Sequence, residues 1–226
     1  MSDSELQILE RQTLFNGSQM FCRAVLPDCG AAVSFGLFLP PMALRAYAVP
    51  ALYFVADDTG GIGAAVRESG IQRAAAQWNM AVVFVETAYP AAAGGGLESL
   101  AALLESRFPL LPARSLTGLG SGAAAAVAEA AARPHQYAAV SGFAPQWGGE
   151  AAEIWQSRFQ TALTQMPLLL DVCGGGDEQA QEMHRFLRGA GKNVQCRLRS
   201  DYAAGYFLAA SFAESHIGFH ADALGL

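Results

Sequence analysis

Apolar residues in this chain fall in short dense runs, separated by stretches whose apolar positions recur at helical spacing. Residues 33–39 predict a strand that ends at Pro40-Pro41, and residues 51–56 predict another. The second run is almost wholly apolar, as expected of a strand covered on both faces. Residues 62–78 carry one long helical pattern, and residues 80–85 form a further buried strand. Downstream the pattern alternates. A helix over 97–108 stops at Pro109, a strand follows at 115–118, and an alanine-rich helix over 121–133 stops at Pro134. Then come a strand at 138–143, a helix at 151–164, a strand at 167–173, a helix at 178–188, a strand at 194–199 and a last helix at 204–223.

Such alternation predicts an α/β fold, with a mostly parallel doubly wound sheet and helices on both faces. The strand or strands before residue 40, joined by short polar turns, predict an antiparallel N-terminal edge. The chain shows no internal repeat and no linker, so residues 1–226 read as one domain. Its one low-complexity piece is Ala91-Ala-Ala-Gly-Gly-Gly96.

Composition narrows the function. Hydrophobic residues make up 52% and charged residues 15%, enough apolar material for a large core. The net charge of −6, with no basic patch, argues against nucleic acid as a partner. No apolar run reaches the roughly 18 residues a membrane span needs. Met1-Ser-Asp-Ser-Glu-Leu6 lacks the basic-then-apolar order of a signal peptide, so a cytoplasmic protein is expected. Cys22, Cys29, Cys173 and Cys196 form no CxxC pair and have no histidine at zinc-ligand spacing. They are expected to be reduced, and neither a metal nor a cofactor is expected.

The segment Ser115-Leu-Thr-Gly-Leu-Gly-Ser-Gly-Ala123 joins a strand to a helix and fits two motifs. Gly118, Gly120 and Ala123 match G-x-G-x-x-A, in which glycines let a pyrophosphate approach a helix N-terminus. Against that reading, the motif follows at least two earlier strand–helix units. The next strand, residues 138–143, also lacks the carboxylate that would hold a ribose. Gly118 and Gly122 equally match the small residues that flank the nucleophile in a G-x-S-x-G elbow. The central position is then Gly120, which has no hydroxyl. Centring the motif on Ser121 instead puts Leu119 where a small residue is needed.

Several further segments resemble the esterase D, or S-formylglutathione hydrolase, family of serine esterases. Gly36-Leu-Phe-Leu-Pro-Pro41 is similar to that family's F-S-V-F-L-P-P, and Val49-Pro-Ala-Leu-Tyr-Phe-Val55 to its C-P-V-L-Y-W-L. Val82-Val-Phe-Val-Glu-Thr-Ala-Tyr-Pro90 resembles V-V-I-A-P-D-T-S-P. Tyr137-Ala-Ala-Val-Ser-Gly-Phe-Ala-Pro145 resembles Y-K-S-V-S-A-F-A-P, and Ser215-His-Ile-Gly-Phe-His-Ala221 resembles D-H-I-R-H-H-A. Order and spacing agree over most of the chain. The resemblance implies an α/β-hydrolase fold and assigns the vestiges of a triad. The serine of S-I-F-G-H-S-M-G-G falls on Gly120. The acid of a G-x-x-D turn falls on Asp177. The histidine of Y-D-H-S-Y-Y-F-I falls on Ala203. The oxyanion loop S-G-L-T falls on Ala56-Asp-Asp-Thr59, and a long rim segment shrinks to residues 91–96.

An acid alone neither attacks nor relays a proton, and Asp57 and Asp58 bring negative charge where an oxyanion should be stabilised. The expectation is therefore a non-catalytic homologue that binds a small molecule in a remnant pocket or binds a partner, with a homodimer one possibility. That pocket would be lined by Asp57, Asp58, Leu119, Ser121, Cys173 and Tyr202. The alternative is a residual carboxylesterase or thioesterase that uses Ser121 or Cys173. His216 and His220 lie one turn apart on the last helix, without a third metal ligand, and are expected to be structural; His135 and His184 are expected on the surface. Asp57, Asp58, Glu86 and Asp177 are expected at the C-terminal edge of the sheet, as solvated acids or as a cluster suited to a cation. Trp147 and Trp155 either line the pocket or cover the core.

Overall fold

Strand β4 (Val49–Val55) is apolar at six of its seven positions apart from Pro50, and all seven are buried. Its side chains alternate between two separate cores. Tyr53 and Val55 join one cluster, Leu52 and Phe54 the other. This is the period of two that places successive side chains on opposite sheet faces. Strand β5 (Ala81–Val85) behaves in the same way, with Val83 on one face and Val82 and Phe84 on the other.

These strands lie in a nine-stranded sheet in the computed structural model, which describes residues 6–26, 32–88, 96–149, 152–174, 178–190 and 193–226. The remaining strands are β1 (Leu6–Leu14), β2 (Gly17–Val25), β3 (Ala32–Leu39), β6 (Leu110–Gly118), β7 (Val140–Phe143), β8 (Leu168–Cys173) and β9 (Val194–Arg199). Their spatial order is β1-β2-β3-β5-β4-β6-β7-β8-β9. The pairs β1–β2, β2–β3 and β3–β5 are antiparallel, and every later pair is parallel. The expected antiparallel edge is thus three strands wide.

Beyond a one-turn α1 (Pro41–Leu44), helices cover both faces. On one side pack α4 (Gly96–Arg107), α5 (Ser121–Ala132), α6 (Ala152–Gln165) and α7 (Glu178–Arg188). On the other pack α2 (Gly61–Glu68), α3 (Ile71–Gln77) and α8 (Tyr206–Leu224). The single helix expected over 62–78 is in fact α2 and α3, broken at Gly70. That glycine has φ 68°, and a Cβ there would stand 3.4 Å from the Ala210 Cα of α8. A left-handed residue at a close helix contact favours glycine and ends the helix.

Trp147 and Trp155 cover the core rather than line a pocket. Both meet Phe159 edge-on, and both are almost fully buried. Among the described residues, no helix is long and apolar enough to cross a membrane.

Candidate functional site

The turn from β6 to α5 is pinned between the ends of two neighbouring strands. The Leu119 N–H donates to the Val55 carbonyl at 3.3 Å, and the Gly120 N–H donates to the Phe143 carbonyl at 2.9 Å. Gly120 then reverses the chain at φ 57°, ψ −122°, a conformation that strains any residue with a side chain. The flanking glycines allow backbone to touch backbone. A Cβ on Gly118 would lie 2.5 Å from the Gly122 carbonyl, and one on Gly122 would lie 2.3 Å from the Val55 carbonyl oxygen. This is the strand–turn–helix geometry of a nucleophile elbow, and its apex is a glycine.

The place of the missing side chain is taken by another residue. Asp57 lies two residues beyond the end of β4, and its Oδ1 would stand 2.5 Å from a Cβ built on Gly120. That oxygen accepts hydrogen bonds from the Ser121 N–H at 3.2 Å and the Ser121 hydroxyl at 2.9 Å. Oδ2 accepts from the Thr59 hydroxyl. Partial burial acts to raise the Asp57 carboxyl, but the bonds from Thr59 and Ser121 outweigh it and hold the group below its ordinary value. Asp57 is therefore a carboxylate at neutral pH. The Ser121 oxygen also accepts the Asp58 N–H at 3.3 Å.

The other expected positions surround this turn loosely. Ala203 is exposed in the segment between β9 and α8, and Tyr202 beside it is 40% exposed with its ring against Phe212. Ala204, Cys173, Gln146 and Ala144 line a small cavity, and the Gln146 N–H donates to the Gly120 carbonyl at 3.0 Å. The end of β8 and the segment before α8 thus meet at this cavity, and Gln146 links its wall to the turn at Gly120. Leu119 does not face that cavity; it is 1% exposed and packs in the core with Phe143 and Leu208. Asp177 and Cys29 lie outside the described residues.

The acidic residues part company. Asp57 turns onto the elbow, whereas Glu86 accepts the Ile62 N–H at 3.3 Å in the first turn of α2. Burial, with the charges of Asp57, Glu68 and Glu86, pushes the Tyr206 hydroxyl up to about 12 against a hydrogen bond at Asp57. Among the described residues, no group of three or more His, Cys, Asp and Glu side chains is arranged to hold a metal. Burial pushes the Cys173 thiol up to about 11, helped by Asp171 and opposed by Arg199. A thiol in that state is a poor nucleophile at neutral pH.

A complete serine–histidine–aspartate relay does exist, in the wrong place. The Ser141 hydroxyl lies 2.9 Å from His216 Nδ1, and His216 Nε2 lies 3.3 Å from Asp171 Oδ2. All three side chains are fully buried. Ser141 sits mid-strand in β7, not at a turn, so no substrate reaches it. Asp171 only accepts, which assigns the His216 proton to Nε2 and makes Nδ1 the acceptor of the Ser141 proton. Ser141 Oγ in turn accepts from Thr117 at 2.8 Å and from His220 Nε2 at 2.9 Å. Arg199 holds Asp171 from its other side, at 3.0 Å and 3.4 Å. The expected structural role of His216 and His220 therefore has a definite content: they tie α8 to the middle of the sheet. His135 is exposed, and His184 is half-buried.

Comparison with known proteins places this geometry. No protein-family model matches the chain. It is similar to the S-formylglutathione hydrolase of Paracoccus denitrificans (strain Pd 1222), 25% identical over 268 aligned positions that cover 93% of this chain and 95% of the relative. The structure of an S-formylglutathione hydrolase from Agrobacterium tumefaciens superposes with a TM-score of 0.78 at 18% identity, covering 97% of this chain and 100% of that one. An S-formylglutathione hydrolase from Staphylococcus aureus superposes with a TM-score of 0.69 at 11% identity, covering 98% of each chain. The two superpositions show that the chain has the α/β-hydrolase fold.

Proposed function

We propose that this chain, which belongs to the S-formylglutathione hydrolase (esterase D) family, binds a ligand or a partner and does not turn over esters. The observation that carries this reading is the Asp57 carboxylate standing 2.5 Å from where a side chain at residue 120 would begin. Serine-esterase chemistry needs a hydroxyl at that point, a base to take its proton and donors free to meet the developing oxyanion. Here the hydroxyl is absent, the base position is Ala203, and a negative charge lies against the donors.

Ser121 offers a competing route, because its hydroxyl already points a proton at Asp57 over 2.9 Å. A carboxylate held below its ordinary value is a weak base, well removed from the near-neutral pKa that general-base catalysis favours. No described histidine hydrogen-bonds Ser121. Cys173, the other candidate nucleophile, is protonated at neutral pH.

The test is intact-mass spectrometry after incubation with a serine-directed fluorophosphonate, followed by peptide mapping. The expected result is an unmodified chain. Stoichiometric modification at Ser121 would overturn the proposal in favour of a residual esterase.

A further inference from the structure

In an α/β-hydrolase elbow the oxyanion hole is built from two backbone donors. One is the N–H of the residue after the nucleophile, and the other comes from the loop after the adjacent strand. In this chain those positions are the Ser121 N–H at the start of α5 and the 57–59 loop that follows β4. Both are spoken for from within. Asp57 Oδ1 receives the Ser121 N–H at 3.2 Å and the Ser121 O–H at 2.9 Å, while Thr59 holds Oδ2. The Asp58 N–H is turned onto Ser121 Oγ at 3.3 Å. Three donors converge on one carboxylate, and that carboxylate is supplied by the loop that should contribute only donors.

Sterics make this arrangement exclusive. A side chain at residue 120 would start 2.5 Å from Asp57 Oδ1 and 2.9 Å from its Cγ, far inside contact distance. Either residue 120 carries a side chain or Asp57 occupies the hole. The helix gains from the second choice. Gly120 has no side chain to cap α5, and the first N–H groups of a helix have no partner inside it. Asp57 supplies the acceptor across space, with its charge at the positive end of a 12-residue helix.

We infer that Asp57 is a built-in occupant of the oxyanion hole, an autoinhibitory carboxylate that closes the remnant site to acyl oxygens and small carboxylates. This rests on the reading of the elbow as catalytically silent and adds a mechanism to it. The donors themselves remain intact beneath the plug. With Asp57 shortened, the Ser121 N–H and O–H and the Thr59 hydroxyl are left to receive a carboxylate from solution.

The experiment uses the full chain and sodium acetate as the probe, with sodium chloride as the ionic-strength control, and reads melting temperature. Asp57→Ala should gain a saturable rise with acetate that chloride does not reproduce, and the unmodified chain should show none. Equal responses in the two proteins, or none in a folded Asp57→Ala, overturn the inference. A second measurement needs no variant. The Ser121 amide is the first of α5 and would exchange with solvent as an unprotected amide unless Asp57 holds it. At neutral pH its hydrogen exchange should be slowed at least tenfold, and exchange at the unprotected rate overturns the plug even if Asp57→Ala does not fold. Either failure leaves the fluorophosphonate result, and so the proposed lack of turnover, standing on its own.

Discussion

The Ser141 hydroxyl of β7 and the His216 imidazole of α8 meet at 2.9 Å in the interior, and His216 also stacks on Phe143 with ring centroids 3.8 Å apart. Ser141 is the hub of this contact, since it also receives Thr117 and His220. Ser141→Ala leaves an imidazole acceptor, an imidazole N–H and a hydroxyl buried without their partner. At about 1–3 kcal/mol for each orphaned group, a loss of roughly 3 kcal/mol or more is expected. A urea titration of the variant should show a clearly lower midpoint with an unchanged slope. A midpoint equal to that of the unmodified chain would remove Ser141 from this role.

The same network makes the fold sensitive to acid. Burial holds His216 and His220 below the ordinary imidazole value of 6.5. For His216, Asp171 pulls the other way, while Arg197 and Arg199 add to burial. His220, whose Nδ1 has no hydrogen-bond partner among the described residues, is lowered further by His216. Imidazoles kept neutral in the fold but free to protonate in the unfolded chain cost stability below their unfolded value. Asp171 is shifted by burial in one direction and, more strongly, by His216 and Arg199 in the other, ending below its ordinary 3.8. Its stabilisation is present above that value and is lost as pH falls through the lowered one. Unfolding free energy should therefore be flat above about pH 7, decline from about pH 6.5 downward and fall further below about pH 4. Urea midpoints measured from pH 8 to about pH 3 check this, and a flat profile would contradict it.

Cys173 should behave as a buried thiol despite its place beside the remnant cavity. With its pKa near 11, only about one molecule in a thousand carries the thiolate at pH 8. Alkylation by iodoacetamide, mapped by peptide mass spectrometry, should be slower by about a few hundredfold than that of a free cysteine, of which roughly a quarter is thiolate at pH 8, and should rise with pH up to about 11. Rapid modification at pH 7 would mean that the thiol is activated.

Restoring the two missing triad residues should not restore activity. In Gly120→Ser with Ala203→His, the new hydroxymethyl group meets Asp57, whose Oδ1 lies 2.5 Å from the Cβ position. The expected outcome is lowered thermal stability and p-nitrophenyl acetate hydrolysis no faster than in the unmodified chain. Adding Asp57→Gly should recover the lost stability. Full hydrolytic activity in the double variant would show that Asp57 moves aside.

Most strands were legible because a buried parallel strand announces itself as a dense apolar run, as residues 51–56 and 80–85 do. The β1–β2 hairpin was not. Strand β1 is an exposed edge with Ile8 and Leu9 facing outward and a bulge between Ile8 and Glu10, so no alternation marks it. Its turn is Phe15-Asn16, both with positive φ, so the Asn-Gly pair of residues 16 and 17 sits one position past the usual two-residue turn signal. The elbow was legible because its glycines are adjacent in sequence. The occupancy of that elbow by Asp57 was not, since residues 57 and 121 lie 64 positions apart and nothing local links them. The loop pattern did carry a signal, in that two acids stood where oxyanion donors belonged. The Ser141–His216 contact spans 75 positions and became visible only with the fold.

The most direct test of the account is the hydrolysis rate of S-formylglutathione by the full unmodified chain, measured against buffer and against Asp57→Ala. With Gly120 at the apex and the Asp57 carboxylate in the oxyanion hole, the unmodified chain should give the buffer rate. Turnover above buffer, abolished by Ser121→Ala, would contradict the account.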